Sequence, residues 1–164
     1  MTPVAIGLGS NLGPSQQILE QSLSQLAQVP DLHLIAVSAW YETLPVGPQQ
    51  PNYLNGCAVL ETELNPEILL ARLQSIEQQF GRVRTEKWGP RTLDLDLLLY
   101  GQRQHQSPTL TIPHPFLIER AFVLIPLAEI APDWQEPKTG QTILQLAQAC
   151  DRQGILGCLA ARWP

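Results

Sequence analysis

The run Leu93-Asp94-Leu95-Asp96-Leu97-Leu98-Leu99-Tyr100 constrains the fold more than any other stretch. Rich in leucine and bounded upstream by Gly89-Pro90, it reads as a buried strand. Side chains alternate along a strand, so Asp94 and Asp96 share one face, and Leu93, Leu95 and Leu97 the other. Two rises of about 3.3 Å put the aspartate Cα atoms roughly 6.6 Å apart. Aspartate is depleted in strands, and two carboxylates this close repel. Two readings compete. In one, an edge strand turns both aspartates to water. In the other, a hard cation compensates them. Mg²⁺ takes one or two carboxylates plus substrate phosphates, and two-metal sites hold their ions about 3.5–4 Å apart. Positive charge upstream favours the second. Arg82, Arg84, Lys87 and Arg91 are four of the ten Lys+Arg residues and fall within ten positions, opposed only by Glu86.

That cluster stands out because the chain carries a net charge of −5. Such a balance argues against a broad nucleic-acid or membrane surface. One basic loop on an acidic protein suits a small polyanionic ligand, against the plain alternative of a solvated loop. With 164 residues, 44% hydrophobic and 15% charged, residues 1–164 read as one globular domain. Cys57, Cys150 and Cys158 are odd in number and without a Cys-x-x-Cys pair, which fits a reducing compartment. Met1-Thr2-Pro3-Val4 has no basic region followed by an apolar core, so no signal peptide is expected, and Ala121 to Ala131 is too short to span a bilayer. A cytoplasmic monomer is expected.

In chain order, Val4 to Leu8 reads as a strand, Gly9 to Gly13 as a turn, and Pro14 as the start of a helix with Ile18, Leu19, Leu23 and Leu26 on one face. Gly7-x-Gly9 lacks the third glycine of a dinucleotide fingerprint, and no Gly-Lys-Ser/Thr marks a P-loop. Leu32 to Tyr41 reads as a second strand and Glu42 to Pro51 as a proline-rich surface loop. Tyr53 to Thr62 is a third strand, with Leu54, Ala58 and Leu60 on one face and Tyr53, Asn55, Cys57 and Val59 on the other. Asn55 there is either a reader of a heterocycle or an edge residue bonded to a neighbouring loop. Asn65-Pro66 begins a helix striped by Leu69, Leu73, Ile76 and Phe80, with Gln74 and Glu77 side by side, and Gly81 ends it. Thr109 to Ile112 reads as a short strand, Pro113-His114-Pro115 as a rigid turn, and Thr142 to Cys150 as a last helix. The tail from Asp151 gives no clear pattern. Strand, helix, strand, strand, helix, strand is the order of an α+β, ferredoxin-like βαββαβ fold, an antiparallel sheet with helices packed on one face and here a C-terminal helical extension.

Several stretches in register resemble one family. They are Gly9-Ser10-Asn11-Leu12-Gly13, Tyr41 to Pro48, Pro51 to Asn55, Glu77 with Gly81 to Arg84, Lys87 to Leu98, Ile112 to Pro115, and Glu119 to Phe122. The sequence is similar to the 6-hydroxymethyl-7,8-dihydropterin pyrophosphokinases of folate biosynthesis. The resemblance implies transfer of diphosphate from ATP to the hydroxymethyl group of 6-hydroxymethyl-7,8-dihydropterin, leaving AMP. It implies two Mg²⁺ on Asp94 and Asp96, and catalytic roles for Arg82 and Arg91. Gln74, Glu77, Arg82, Arg84, Trp88, Arg91, Leu97, His114 and Arg120 match positions of the ATP side. Tyr53 and Phe122 match a stack around the pterin, Asn55 a reader of its polar edge, and Thr43, Leu44, Val46 and Trp88 its remaining wall. The compact Thr85-Glu86-Lys87 stretch and Pro115 depart from the pattern of some relatives. Two other classes fit less well. A nucleotidyltransferase keeps Gly-Ser close to Asp-x-Asp, whereas Gly9-Ser10 lies far before Asp94. An RNA-recognition module needs a basic face and exposed aromatics.

Overall fold

The computed structural model describes residues 1–81 and 91–162. Strands β1 (Thr2–Ser10), β2 (Leu32–Val37), β3 (Trp40–Thr43), β4 (Tyr53–Thr62), β5 (Asp94–Tyr100), β6 (His105–Gln106), β7 (Thr111–Ile112) and β8 (Ile155–Leu159) alternate with helices α1 (Ser15–Ala27), α2 (Pro66–Gln79), α3 (Ala121–Ile130) and α4 (Ile143–Ala149). Six strands form one antiparallel sheet in the order β5-β1-β4-β3-β8, with β2 also paired to β4. β6 and β7 make a separate small hairpin.

Each face of the sheet carries a hydrophobic core. On the first, Val4, Ile6, Leu8, Leu95 and Leu97 pack against Leu19, Leu23 and Leu26 of α1 and Leu69, Leu73 and Ile76 of α2. These are the apolar stripes read from the helical periods. Asn65 caps α2 by accepting the Ile68 N–H at 3.0 Å, and Gly81, at φ 75°, ends it. On the second face, Ala5, Cys57, Val59, Leu98 and Leu99 pack against Val123, Leu124 and Leu127 of α3 and Ile143 and Leu146 of α4. Thr142 and Gln145 form a capping box at the start of α4. Among the described residues, no helix is long and apolar enough to cross a membrane.

Several expectations change in detail. Leu32 to Tyr41 is two strands, broken at Ser38-Ala39, because the Ser38 hydroxyl accepts the Cys57 N–H at 2.9 Å while Glu129 takes the Ala39 N–H at 2.9 Å. Glu42 and Thr43 are strand rather than loop, since β3 pairs with β4 on one side and β8 on the other. β1 continues through Gly9 and Ser10, which pair with Asn55 and Leu54 where a turn was expected. The unassigned tail supplies β8. In β5 the register against β1 jumps from Ala5↔Leu99 to Ile6↔Leu97, leaving Leu98 as an extra residue. This bulge lets Leu97 join the first core while Leu98 and Leu99 both join the second.

Candidate active site

The second face of the sheet is filled by helices at one end and open at the other. Asn55 pairs with Gly9 and Cys57 with Gly7, and on the other side of β1 Gly9 faces Asp94 and Gly7 faces Asp96. The two glycines therefore form a floor without side chains between Asn55 and the aspartates. At Gly9 that bareness is required, because a Cβ there would come to 2.7 Å from Asn55 Oδ1. Asn55 Nδ2 donates to Thr43 Oγ1 at 2.7 Å, which fixes the amide.

Above this floor lies a slot of about 80 Å³ lined by Tyr53, Asn55, Thr43, Leu44, Val46, Asp94, Asp96, Arg120 and Phe122. Strand alternation brings Tyr53, Asn55 and both aspartates to it, and the start of α3 brings Phe122. Leu44 and Val46 are 50% and 58% exposed, at its rim. The Arg120 guanidinium carbon lies 4.9 Å from the Phe116 ring centre and 5.4 Å from that of Phe122. Burial lowers its pKa, while Asp96 and Asp94 pull the other way and favour its charged form.

A second, roomier trough of about 300 Å³ runs beside β5, the edge strand of the sheet, between α2 and the β6–β7 hairpin. Gln74, Glu77, Asp96, Leu97 and His114 line it. Glu77 is only 3% exposed, and its Oε2 accepts the Leu95 N–H at 2.8 Å. A buried carboxylate thus pins the peptide between the two aspartates. Asp96 borders both cavities. Among the described residues, no group of three or more His, Cys, Asp or Glu could hold a metal ion.

Arg91 is half-buried, and its peptide is bonded to Asn11. Arg82, Arg84 and Trp88 lie outside the described residues. Sequence reasoning missed the trough wall Ser107 to Thr111. Glu67 holds that segment by accepting from His105 Nε2 at 3.0 Å, Ser107 Oγ at 2.6 Å and Thr109 Oγ1 at 2.8 Å. The Ser107, His105 and Thr109 bonds lower the Glu67 carboxyl to about 2. No sequence spacing announces a hairpin docked through one glutamate. Also missed was Gly154, whose carbonyl accepts the Leu44 N–H at 2.9 Å and braces the slot's rim from the C-terminal segment.

His114 is bonded to the backbone of its own turn and also borders the trough. Its Nδ1 accepts the Phe116 N–H at 3.2 Å, yet the ring faces the trough. Burial, with Arg120 adding and Asp94 opposing, pushes its pKa down from 6.5 to about 4. The ring is neutral at pH 7 with its proton on Nε2, a donor. Between those values the unfolded chain binds a proton that the folded one does not. The associated stability is therefore complete above about 6.5 and is lost as pH falls through about 4. His114→Asn is expected to flatten the fall in Tm over that window, measured by thermal melts at fixed ionic strength. Parallel Tm curves for variant and wild type would rule this out.

The sequence profile of the 7,8-dihydro-6-hydroxymethylpterin-pyrophosphokinase (HPPK) family matches residues 5–132. The chain belongs to this family. An HPPK is a diphosphate-transferring enzyme of folate biosynthesis. The chain is 50% identical over 159 residues to the 2-amino-4-hydroxy-6-hydroxymethyldihydropteridine pyrophosphokinase of Synechocystis sp., covering 97% of this chain and 78% of that one. It is 45% identical over 153 residues to the enzyme of the same name from Pseudomonas aeruginosa, covering 93% and 94%. The fold is similar to that of a Plasmodium falciparum HPPK-DHPS structure, with a TM-score of 0.70 and 16% identity. That match covers 90% of this chain and 44% of the Plasmodium chain, so this HPPK spans less than half the length of that structural neighbour.

Proposed function

We propose that the slot takes 6-hydroxymethyl-7,8-dihydropterin, the trough takes ATP, and diphosphate passes between them at Asp96. One observation carries this reading: Asp96 borders both cavities, with Asp94 beside it on the same strand face. The strand order and alternation of helices are read as ferredoxin-like, with α3 and α4 as the C-terminal helical extension. Residues 1–164 are taken as one domain, a cytoplasmic monomer that needs neither nucleic acid nor membrane.

The chemistry of the donors fits Mg²⁺. Two carboxylates, joined by no third His, Cys, Asp or Glu among the described residues, suit an ion that keeps waters and takes its other ligands from substrate phosphates. Two such ions on Asp94 and Asp96 would neutralise charge on the triphosphate and the attacking oxygen. The protein's own share is positioning. Tyr53 and Phe122 would stack on the flat ring, each stack contributing on the order of 1 kcal/mol beyond buried area. Asn55, oriented by Thr43, would meet the ring's donor–acceptor edge, with Leu44 and Val46 closing the rim. On the other side, the Leu95 N–H points to Glu77, away from β1. Two residues on, Leu97 presents its backbone to the same open edge, as an adenine reader would. Gln74 and Glu77 flank it, and the Nε2–H of neutral His114 would donate to a phosphate oxygen. Arg120 and Arg91, with Arg82 and Arg84 and the covering Trp88 by resemblance alone, would bind the remaining phosphate charge. The pterin hydroxyl then attacks the β-phosphorus in line, and AMP leaves.

Incubation with Mg·ATP and the dihydropterin, read by chromatography, is expected to yield AMP only when the pterin is present. ADP in its place would mean phosphoryl transfer and a wrong subclass. No nucleotide product from folded protein would remove the reading.

A further inference from the structure

Asn11 is 4% exposed and lies just past β1, outside every group of residues assigned a role above. A buried amide must place two donors and an acceptor. Asn11 Oδ1 accepts the Arg91 N–H at 2.8 Å, and its Nδ2 donates to Gln50 Oε1 and to Pro51 O, each at 2.9 Å. The orientation is forced by chemistry, because a peptide N–H only donates and a proline carbonyl only accepts. The backbone N–H groups of Asn11 and Leu12 close on the Arg91 carbonyl at 3.0 and 3.1 Å, so the Arg91 peptide is held from both ends. Gln50 carries the network onward, its Nε2 donating to Val46 O at 3.3 Å and Pro48 O at 3.1 Å. One buried side chain thus joins the peptide that launches Arg91 and β5 to the loop that rims the slot.

We propose that Asn11 is a positioning residue that couples the two substrate cavities. One arm sets where the Arg91 guanidinium starts, and the other holds the 46–51 loop against the slot. This rests on the reading of Arg91 as a phosphate ligand and of the loop as the pterin's rim. The two arms are chemically separable. Asn11→Asp keeps an oxygen for the Arg91 N–H but sets a carboxylate against the Pro51 carbonyl. Asn11→Ala removes both arms.

Steady-state kinetics in both substrates, for Asn11→Asp, Asn11→Ala, Gln50→Ala, Arg91→Ala and the Asn11→Ala/Arg91→Ala double variant, tests the proposal. Asn11→Asp and Gln50→Ala are expected to raise the pterin KM about tenfold with kcat within about threefold, since only the loop is released. Asn11→Ala is expected to lower kcat about 10- to 100-fold as well, the scale of a displaced catalytic group. In the Arg91→Ala background the same change should lower kcat less than about threefold, because the group it positions is gone. Equal kcat losses with and without Arg91, or Asn11→Asp behaving as Asn11→Ala, would overturn it. Amide hydrogen exchange gives a readout independent of turnover. Arg91 N–H protection should survive in Asn11→Asp and Gln50→Ala, while in the same amide spectra the Val46, Gly47 and Gln49 resonances shift as the loop is released. Loop resonances unmoved in both variants sink the coupling even if Asn11→Ala fails to fold. Wild-type AMP formation is a separate measurement: it tests the assignment of the two cavities, and the exchange data stand without it.

Discussion

Asp96→Ala is expected to leave a folded protein whose AMP formation falls by about 10³-fold or more, the scale of losing a principal electrostatic group in a transferase site. Asp94→Ala should approach the same loss. Both side chains are half-buried on one strand face, at the solvent-side end of the slot rather than in either apolar core. The peptide between them is held by Glu77, so truncating either aspartate leaves the Leu95 N–H bonded. Removing one of two like charges also relieves repulsion within the strand. That relief opposes the lost attraction to the half-buried Arg120 guanidinium, so melting temperatures close to wild type are expected alongside lost turnover. A second comparison separates the two residues. Asp96 borders both cavities and Asp94 only the slot, so Asp96→Ala should weaken binding of Mg·ATP in the absence of pterin more than Asp94→Ala does. Turnover within about tenfold of wild type in a folded Asp96→Ala protein would end the assignment of Asp96 as the meeting point.

Gly56→Ala is the substitution expected to cost the fold most for its size. A Cβ on Gly56 would stand 2.5 Å from Trp40 Cε3, 2.6 Å from Cζ3 and 3.1 Å from Ser38 Oγ. Trp40 is fully buried, and its rigid indole has nowhere to swing. Overpacking of this kind costs about 3 kcal/mol, which for a chain of this length is a fall in Tm of about 6–12 °C. The loss should be reciprocal. In a Trp40→Leu background, where the ring edge is absent, adding Gly56→Ala should cost less than about 1 kcal/mol. A Gly56→Ala protein melting within about 2 °C of wild type would show that the sheet can shift to admit the methyl group. Gly56 lies on β4 directly between Asn55 and Cys57. A marginal variant should therefore also lose pterin affinity through the displaced Asn55.

Much of this was legible residue by residue. The alternation that put Asp94 and Asp96 on one face held, as did the split of β4 into Leu54, Ala58 and Leu60 against Tyr53, Asn55, Cys57 and Val59. The stripes of α1 and α2 and the Asn65 cap followed from their periods and types. What escaped depended on distant partners. Nothing near Leu98 in sequence marks the bulge, which is a matter of register against β1. The tail offered no strand pattern because β8 is an exposed edge, given its conformation by pairing with β3. Ser107 to Thr111 joined the trough because Glu67, on α2 some forty residues earlier, holds them. Asn11 read as part of a turn, and its role emerges only where Arg91 and Gln50 meet it.

By itself, then, the amino-acid order determined the family, the elements and which side chains share a face. These follow from periods of 2 and 3.6 residues and from caps and breakers, all local. Tertiary structure decided how the faces combine: that α1 and α2 cover one side of the sheet and α3 and α4 the other, that a glycine floor separates Asn55 from the aspartates, and that slot and trough meet at Asp96. Such features arise from pairing between residues far apart in the chain. Their energies come from shared burial and hydrogen bonding that no single segment carries alone.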